Sequence, residues 1–500
     1  MLHALAQVPL GQAAPTPRSL EFWPLAPELI LVGAGIVLML FDALRPSRDQ
    51  RPMVAIALIA ILGAAAASVF LWSWVEKSGR PTSVLGKMVA ADRYSVFLIL
   101  VLLGIALLAV LLSYQYLEGS GEYRAEYYPL LMFATAGMAL FVAATDLIVV
   151  FLALEILSLS LYLMTGFSFR RLGSAEASMK YFLLGAFSSA FFLYGVALAY
   201  GATGTTNLSG IAHSLNGQVG TAALALGAAG LLATGFAFKV AAVPFHMWTP
   251  DAYQGAPTCV TAFMSAGTKV AAFGALLRVF MVAFSPLAWD WKPVIWGLAA
   301  VTMVVGSVLA IAQTNVKRML AYSSIAHAGF ILVGVSAASQ AGIQAAMFYL
   351  VAYATMILGG FGVVMLVSVR GESNLSLGSY AGLARRSPLL AAVLVLLLLS
   401  LAGIPPTAGF IAKVTVFSAA VRAGHWPVVL IAVLSSVIAA FFYIRVIVLM
   451  YMQEPEDASA IDPGPIGRLV VGVTAVLTLL FGVFPGILFR LLESASVIRF

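Results

Sequence analysis

Long apolar segments follow one another along almost the whole chain. A helix that crosses a bilayer needs roughly 20 predominantly apolar residues, and the pattern predicts fourteen such helices, here called spans. The alternating pattern of β-barrel strands is absent. The chain is therefore predicted to be an all-α polytopic membrane protein with a single membrane domain over residues 1–500. The spans lie near 25–44, 53–75, 94–116, 127–144, 146–166, 176–201, 220–243, 258–284, 293–314, 319–338, 341–369, 388–421, 426–452 and 466–490.

Two of these spans are interrupted by proline. Pro244 lies in span seven, and Pro405–Pro406 lie in span twelve. Proline removes a backbone hydrogen bond and clashes with the preceding turn. Because the breaks lie five spans apart, the pattern predicts two five-helix repeats, and an odd number of helices per repeat would invert the second copy. The predicted division is 127–284 for the first repeat, 293–452 for the second, and 1–116 and 466–500 for the flanking helices.

Composition agrees with a membrane environment. Hydrophobic residues make up 62% of the chain and charged residues only 9%, whereas a soluble domain carries roughly a quarter charged residues. The net charge of +7 comes without a basic patch or a stacking aromatic platform, so nucleic acid is not an expected partner. The lone Cys259 excludes an internal disulfide and a four-thiolate metal site, and we expect it to be a packing residue.

The basic residues also bear on orientation. An even number of spans places both termini on one side of the membrane. Lysines and arginines near the span ends divide twelve against ten between the two sides, which is a weak bias. The stretch from Arg370 to Arg386 favours the inner side, and it therefore predicts that the termini lie outside.

Ionisable residues inside apolar spans are the strongest functional signal. Glu155, Lys239, Lys269 and Lys413 lie well inside their spans, and Lys180 lies closer to an end. A charge at a helix centre costs about 2.5–3.5 kcal/mol on the insertion scale. One such group could extend to the interface or form a structural pair, but three central lysines and a glutamate exceed one pair. Burial disfavours the charged form of lysine, which suits a proton relay.

Three groups retain an alternative interpretation. Lys180 follows Glu176 by four residues, so a local helix pair is possible. His246 directly follows the first break, and His327 shares a helix face with Ser323 and Ser324. Either histidine could carry protons or order water, although a membrane histidine is more often a helix–helix hydrogen-bond partner.

Three motifs resemble a known family. They are Phe238–Thr258, Gly267–Lys269 and Lys317–Gly329, and they resemble the antiporter-like membrane subunits of respiratory complex I, the proton-translocating NADH–quinone oxidoreductase. Trp248–Tyr253 and Tyr322–His327 are most similar to the subunit N branch of that family. The resemblance covers nearly the whole chain.

The resemblance implies a fold and a relay. The family folds as two inverted five-helix repeats with helices seven and twelve broken. Glu155 and Lys239 occupy the places of its facing glutamate and lysine, so we expect their charges about 4–6 Å apart. Lys180, Lys269 and Lys413 occupy its remaining lysine positions.

The resemblance also implies partners and cofactors. The expected partners are the bilayer and the other membrane subunits of complex I, in a bacterial inner membrane. No cofactor or metal is expected in this chain, since NADH, FMN, the iron–sulfur clusters and quinone would bind other subunits. The alternatives are a subunit of a multi-component cation/proton antiporter, a ferredoxin-type relative of complex I, and a non-catalytic scaffold. Tyr253–Pro257 favours the subunit N branch, and a scaffold does not explain the central lysines.

Overall fold

Helices account for nearly all of the chain in the computed structural model, which describes residues 22–45, 49–78, 82–216, 222–368, 372, 374–455, 460–461 and 463–498. Within these ranges there are nineteen α-helices and one two-stranded hairpin. The first part of the chain contains α1 (Ala26–Leu44), α2 (Arg51–Ser78), β1 (Thr82–Val84), β2 (Val89–Ala91), α3 (Arg93–Ser120), α4 (Tyr127–Ala143), α5 (Leu147–Thr165), α6 (Leu172–Thr203), α7 (Leu208–Leu215), α8 (Ala222–Val240), α9 (Trp248–Gly255) and α10 (Thr258–Arg278).

The second part of the chain is also helical. It contains α11 (Ala288–Ile311), α12 (Val316–Ser336), α13 (Gln340–Val367), α14 (Leu383–Arg386), α15 (Pro388–Ala402), α16 (Ala408–Arg422), α17 (Trp426–Met452), α18 (Gly464–Val483) and α19 (Gly486–Ala495). A π-helical turn, Val279–Ala283, extends α10, and short 3₁₀ turns occur at Trp23–Leu25, Ser285–Leu287 and Leu377–Tyr380.

The predicted class is confirmed. In the described part of the chain, twelve helices are long and apolar enough to cross a membrane, and α4 and α15 are shorter apolar helices at the two remaining predicted spans. The β1–β2 hairpin was not predicted. The division into two inverted repeats stays a prediction. So does the outer position of the termini, because residues 1–21 and 499–500 lie outside the described residues.

Both predicted helix breaks are present. The first separates α8 from α9 and contains Pro244, while the second separates α15 from α16 and contains Pro405 and Pro406. All three prolines are exposed on the surface of the isolated chain. Exposed irregular backbone at membrane depth needs either protein or water beside it.

The most buried helices form the centre of the bundle. These are α10, α12 and α13, whereas α6, α17 and α18 expose wide apolar faces. Lys269 lies on α10 and His327 on α12, so two of the predicted site residues occupy the best-packed part of the molecule. A centre of this kind holds side chains in fixed positions and limits the entry of water.

A buried ion pair stabilises one end of the bundle, which we call the Asp92 end. The Asp92 side chain accepts from the backbone N–H of Ser95 and so caps α3. Its two carboxylate oxygens accept from the guanidinium of Arg278 at 2.7 and 3.0 Å. The Arg278 Nε–H donates to the carbonyl of Val142 at 3.0 Å. This arrangement joins α3, α4 and α10. Nearby, the Asp146 side chain accepts from the backbone N–H of Ile148 and caps α5.

A buried carboxylate joins helices at the opposite end of α10, which we call the Glu372 end. Glu372 follows α13 in a left-handed backbone conformation (φ +66°). It accepts from Lys317 Nζ at 2.7 Å and Thr258 Oγ1 at 2.7 Å, and Arg171 lies 3.4 Å away. Burial alone would raise the pKa of Glu372, but the charges of Lys317 and Arg171 hold that pKa below its usual value.

Candidate functional site

Lys239 is the first of three buried amines. It is the penultimate residue of α8, and its Nζ donates to Ser158 Oγ at 2.7 Å and to the Tyr181 hydroxyl at 3.3 Å. Glu155 lies one turn before Ser158 on α5 and accepts a hydrogen bond from Ser189 on α6. Hydroxyl groups therefore satisfy both the amine and the carboxylate.

Glu155 and Lys239 form no direct salt bridge, and their separation of about 4–6 Å stays a prediction. Among the described residues, this ammonium and this carboxylate do not approach within 4.0 Å. Glu155 and Ser158 are three residues apart on α5, which places them on adjoining parts of one face. The amine reaches the serine hydroxyl, and the carboxylate turns towards α6. Their interaction is through space across a polar hydroxyl layer.

Lys180 belongs to a separate, more exposed cluster. Its Nζ contacts Glu176 at 2.7 Å, so the predicted local pair is present, and it also contacts Asp251 of α9 at 3.0 Å. Asp251 accepts in addition from Arg318 of α12 at 2.6 Å. Glu176, Lys180 and Asp251 line a polar cleft of about 360 Å³ that reaches Glu372. The Lys180 side chain is therefore partly exposed to solvent and is not buried.

Lys269 lies near the middle of α10, and 1% of its surface is exposed. Its Nζ donates to the carbonyl of Val240 at 2.9 Å, which is the last residue of α8 before the break. The Tyr353 ring of α13 lies 5.9 Å from the ammonium. The lysine therefore joins the centre of the bundle to the first break.

Lys413 has a similar relation to the second break. Its Nζ donates to the carbonyls of Leu401 and Ala402, the last residues of α15, at 3.1 and 2.8 Å. It also donates to Ser436 Oγ at 2.7 Å. The Ser436 hydroxyl also lies 3.2 Å from Ala402 O, so these groups form one hydrogen-bonded cluster at the end of α15.

His327 is held between two tyrosines in the buried centre. Its Nδ1 is 2.8 Å from the Tyr349 hydroxyl on α13, and its Nε2 is 3.2 Å from the Tyr443 hydroxyl on α17. Tyr443 also shares a hydrogen bond with Ser323 at 2.5 Å. This geometry fits a helix–helix hydrogen-bond partner. It also fits a proton carrier, because each hydroxyl can donate or accept.

His246 lies apart from these groups. It sits in the turn between α8 and α9, is half-buried, and its Nδ1 has no hydrogen-bond partner among the described residues. The described residues also contain no group of three His, Cys, Asp or Glu side chains that is placed to hold a metal ion.

The sequence was compared with a family described as NADH:quinone oxidoreductase/Mrp antiporter, TM. The family model matches residues 144–439, more than half of the chain. The chain belongs to this family. All seven predicted site residues of the chain fall inside the segment that the family model matches.

Individual relatives agree with that membership. NADH-quinone oxidoreductase subunit N of Parafrankia sp. is 48% identical, with 97% of each chain covered. A chain in a structure of respiratory complex I from Thermus thermophilus is 36% identical, with a TM-score of 0.77 and coverage of 93% of this chain and 98% of that one. A chain of the Mrp complex from Dietzia is 24% identical, with a TM-score of 0.83 over 95% and 97%, and shows the shared fold alone. The resemblance to the subunit N branch is confirmed.

The sequence analysis did not predict several polar residues that contact the site in this member of the NADH:quinone oxidoreductase/Mrp antiporter family. Asp251 lies inside the motif Phe238–Thr258 that the sequence analysis recognised. Its place in that motif could have identified it as a candidate site residue. The contacts of Tyr349, Tyr353 and Tyr443 with the site depend on packing between helices that are distant in sequence. A tyrosine in an apolar helix gives no local sign of the partner that it meets.

Proposed function

We propose that the chain is a proton-translocating membrane subunit, of the subunit N type, in an NADH–quinone oxidoreductase of the complex I class. One observation carries the proposal: the buried amines of Lys239, Lys269 and Lys413 are all bonded to neutral oxygen atoms. In the described part of the chain, none of the three has a carboxylate within 4.0 Å. An amine without a paired anion loses its proton more readily than a salt-bridged one.

The proposed route begins at the cleft of Lys180. Tyr181, the next residue of α6, bonds to Lys239, and Lys239 directly precedes Val240, whose carbonyl accepts from Lys269. The three amines do not bond to one another, and ordered water would carry the proton between them.

The route continues through the second half of the chain. Beyond Lys269 it passes the Tyr353 ring to His327 and ends at Lys413. The negative charge of Glu155 favours the protonated form of Lys239. His246 would carry protons or order water at the first break. These roles place the start of the route in the proposed first repeat and its end in the second.

Electron transfer would occur in other subunits. NADH, FMN, iron–sulfur clusters and quinone would bind there, and neighbouring membrane subunits would cover the exposed breaks at Pro244 and Pro405–Pro406. The membrane is the bacterial inner membrane, with the termini on its outer side. The names and coverage of the relatives support the assignment to a membrane subunit of such a complex, and the basic residues from Arg370 to Arg386 are the only support for the side of the termini.

The partners are tested by purification. We expect a tagged chain to migrate on a native gel with the other membrane subunits of an NADH–quinone oxidoreductase and to retain NADH-dependent quinone reduction in that band. Mass spectrometry of the band identifies the subunits. Migration with cation/proton antiporter subunits would favour the rival function, and a ferredoxin-linked band without NADH activity would change the electron donor.

The role of Glu155 is tested by Glu155→Gln. Glutamine keeps the shape and can still accept from Ser189, but it removes the negative charge that favours a protonated Lys239. We expect NADH-driven proton transfer in sealed vesicles to fall several-fold while assembly is retained. Glu454→Gln, at an exposed pair with Arg385, is the control and should have no effect. Normal pumping by assembled Glu155→Gln complexes would contradict the role.

A further inference from the structure

The aromatic rings beside the first two buried amines carry hydroxyl groups. Lys239 Nζ lies 5.8 Å from the Tyr162 ring centroid and 5.4 Å from that of Tyr181. Lys269 Nζ lies 5.9 Å from the ring of Tyr353. A tyrosine hydroxyl both donates and accepts hydrogen bonds, so such a ring can hold one end of a water chain that carries protons.

The ring beside Lys413 carries no hydroxyl. It is Phe330 of α12, and its centroid lies 4.8 Å from Lys413 Nζ. The same ring makes an edge contact with His327, at 5.8 Å between centroids, and packs on Phe417 at 6.2 Å. Phe330 is 1% exposed. It follows His327 by three residues and thus shares its helix face, so the ring touches both the imidazole and the ammonium.

The opposite side of His327 is polar. The hydroxyls of Ser324 and Tyr353 are buried there and interact with each other. A hydroxyl both donates and accepts hydrogen bonds, so ordered water can bond to these groups as well. The Tyr353 ring lies 5.3 Å from the His327 ring and faces Lys269. The step from Lys269 to His327 therefore passes groups that attract water, whereas the step from His327 to Lys413 meets a hydrocarbon ring.

We propose that Phe330 is a hydrophobic gate between His327 and Lys413. This proposal rests on the proposed function. The ring offers no hydrogen-bonding atom, and apolar constrictions stop conduction by excluding water. The ring also contacts the Lys413 ammonium, an arrangement that favours the charged form by cation–π attraction. The closed gate therefore retains a proton on Lys413.

The gated step is a proton transfer without electron transfer. When the Phe330 ring rotates away, water enters between the two groups. A proton then leaves an imidazolium nitrogen of His327, passes along the water chain and binds the neutral Lys413 amine, or it follows the reverse course. When the ring returns, the water is expelled and the proton remains on the side that it has reached.

The gate is tested by changing the chemistry of the ring while keeping its shape. Phe330→Tyr adds one hydroxyl group to the ring. Phe330→Ser leaves a polar cavity that water can enter, and Phe330→Leu keeps the position apolar. The assay is passive proton leak, without NADH, in proteoliposomes that contain the whole complex. We expect the tyrosine and serine variants to leak on the order of tenfold faster than wild type, the change that a barrier reduction of about 1.4 kcal/mol gives. The leucine variant should match wild type.

A matched control separates the gate from general damage. Phe280 is fully buried among Phe284 and Trp291, and Phe280→Tyr adds a hydroxyl there. It should not leak. The double variant Phe330→Tyr with Lys413→Met should lose the extra leak, because the proton then has no amine to reach.

Failure of the gate and failure of the relay give different results. If Phe330→Tyr and Phe330→Ser do not leak while Lys413→Met stops pumping, the gate is wrong and the relay stands. A leak that persists in the double variant, or that appears equally in Phe280→Tyr, also overturns the gate. If Lys413→Met pumps normally, the relay through Lys413 fails, and the gate fails with it.

Discussion

We expect Lys269→Met and Lys413→Met each to reduce NADH-driven proton transfer by on the order of a hundredfold, the lower range of what a positioned proton-transfer group contributes, and to leave the complex assembled. Methionine roughly keeps the volume of the lysine but cannot bind a proton. The relay is therefore interrupted without opening a large cavity. The measurements are proton uptake into sealed vesicles, coupled quinone reduction and a native gel of the same membranes.

Structural cost must be separated from loss of the relay in these variants. Lys269→Met leaves the Val240 carbonyl without its donor, which costs about 1–3 kcal/mol, and this loss is visible as a lower unfolding temperature of the complex. Lys77→Met, at an exposed lysine near the end of α2, is the control. Full pumping by assembled complexes with either central substitution would exclude a relay through that lysine and would leave the amine a purely structural role.

We expect Glu372→Gln to lower the free energy of unfolding by about 3 kcal/mol, the lower range for removing one partner of a buried ion pair. The amide can still accept a hydrogen bond, but the positive charges of Lys317 and Arg171 lose their counter-charge. We expect the loss of stability at the Glu372 end, where α6, α10 and α12 meet. Thermal unfolding of the purified complex at neutral pH measures it, and Glu454→Gln serves again as the exposed control.

The effect of Glu372 depends on pH in a definite direction. Its pKa is held below the ordinary value of 4.5 in the folded state. Stability from the charged carboxylate is therefore present above pH 4.5 and is lost as the pH falls through the lower, folded-state pKa. Wild type should lose this stability in acid while Glu372→Gln should not, so the two unfolding temperatures should converge. A constant difference across this range would contradict the charge-based role.

Local signals in the sequence were enough for the fold class and the helix breaks. Proline in an apolar run has a direct steric effect, so Pro244 and Pro405–Pro406 marked the breaks reliably. A lysine in such a run is equally conspicuous, which is why Lys269 and Lys413 were found. Neither signal depends on which helices become neighbours.

Contacts between distant helices could not be read in this way. The φ of Glu372 and its insertion between three helices result from tertiary packing, and a glutamate in a polar loop gives no sign of burial. The resemblance predicted that Glu155 faces Lys239, but it did not predict that Ser189 and Ser158 bond to the two groups. Lys239 bonds to the Ser158 hydroxyl, which lies one turn after Glu155 on α5. Sequence spacing alone does not show whether the amine bonds to Glu155 or to Ser158.

The two helix breaks also link proton binding to mechanics. The carbonyl end of a helix carries a partial negative charge, and a cation there stabilises it by about 0.3–2 kcal/mol. Lys269 supplies that cation to the end of α8, and Lys413 supplies it to the end of α15. Thermodynamic coupling is reciprocal. A neighbouring subunit that displaces the exposed backbone at Pro405 therefore weakens proton binding at Lys413, and loss of the proton loosens the break in return.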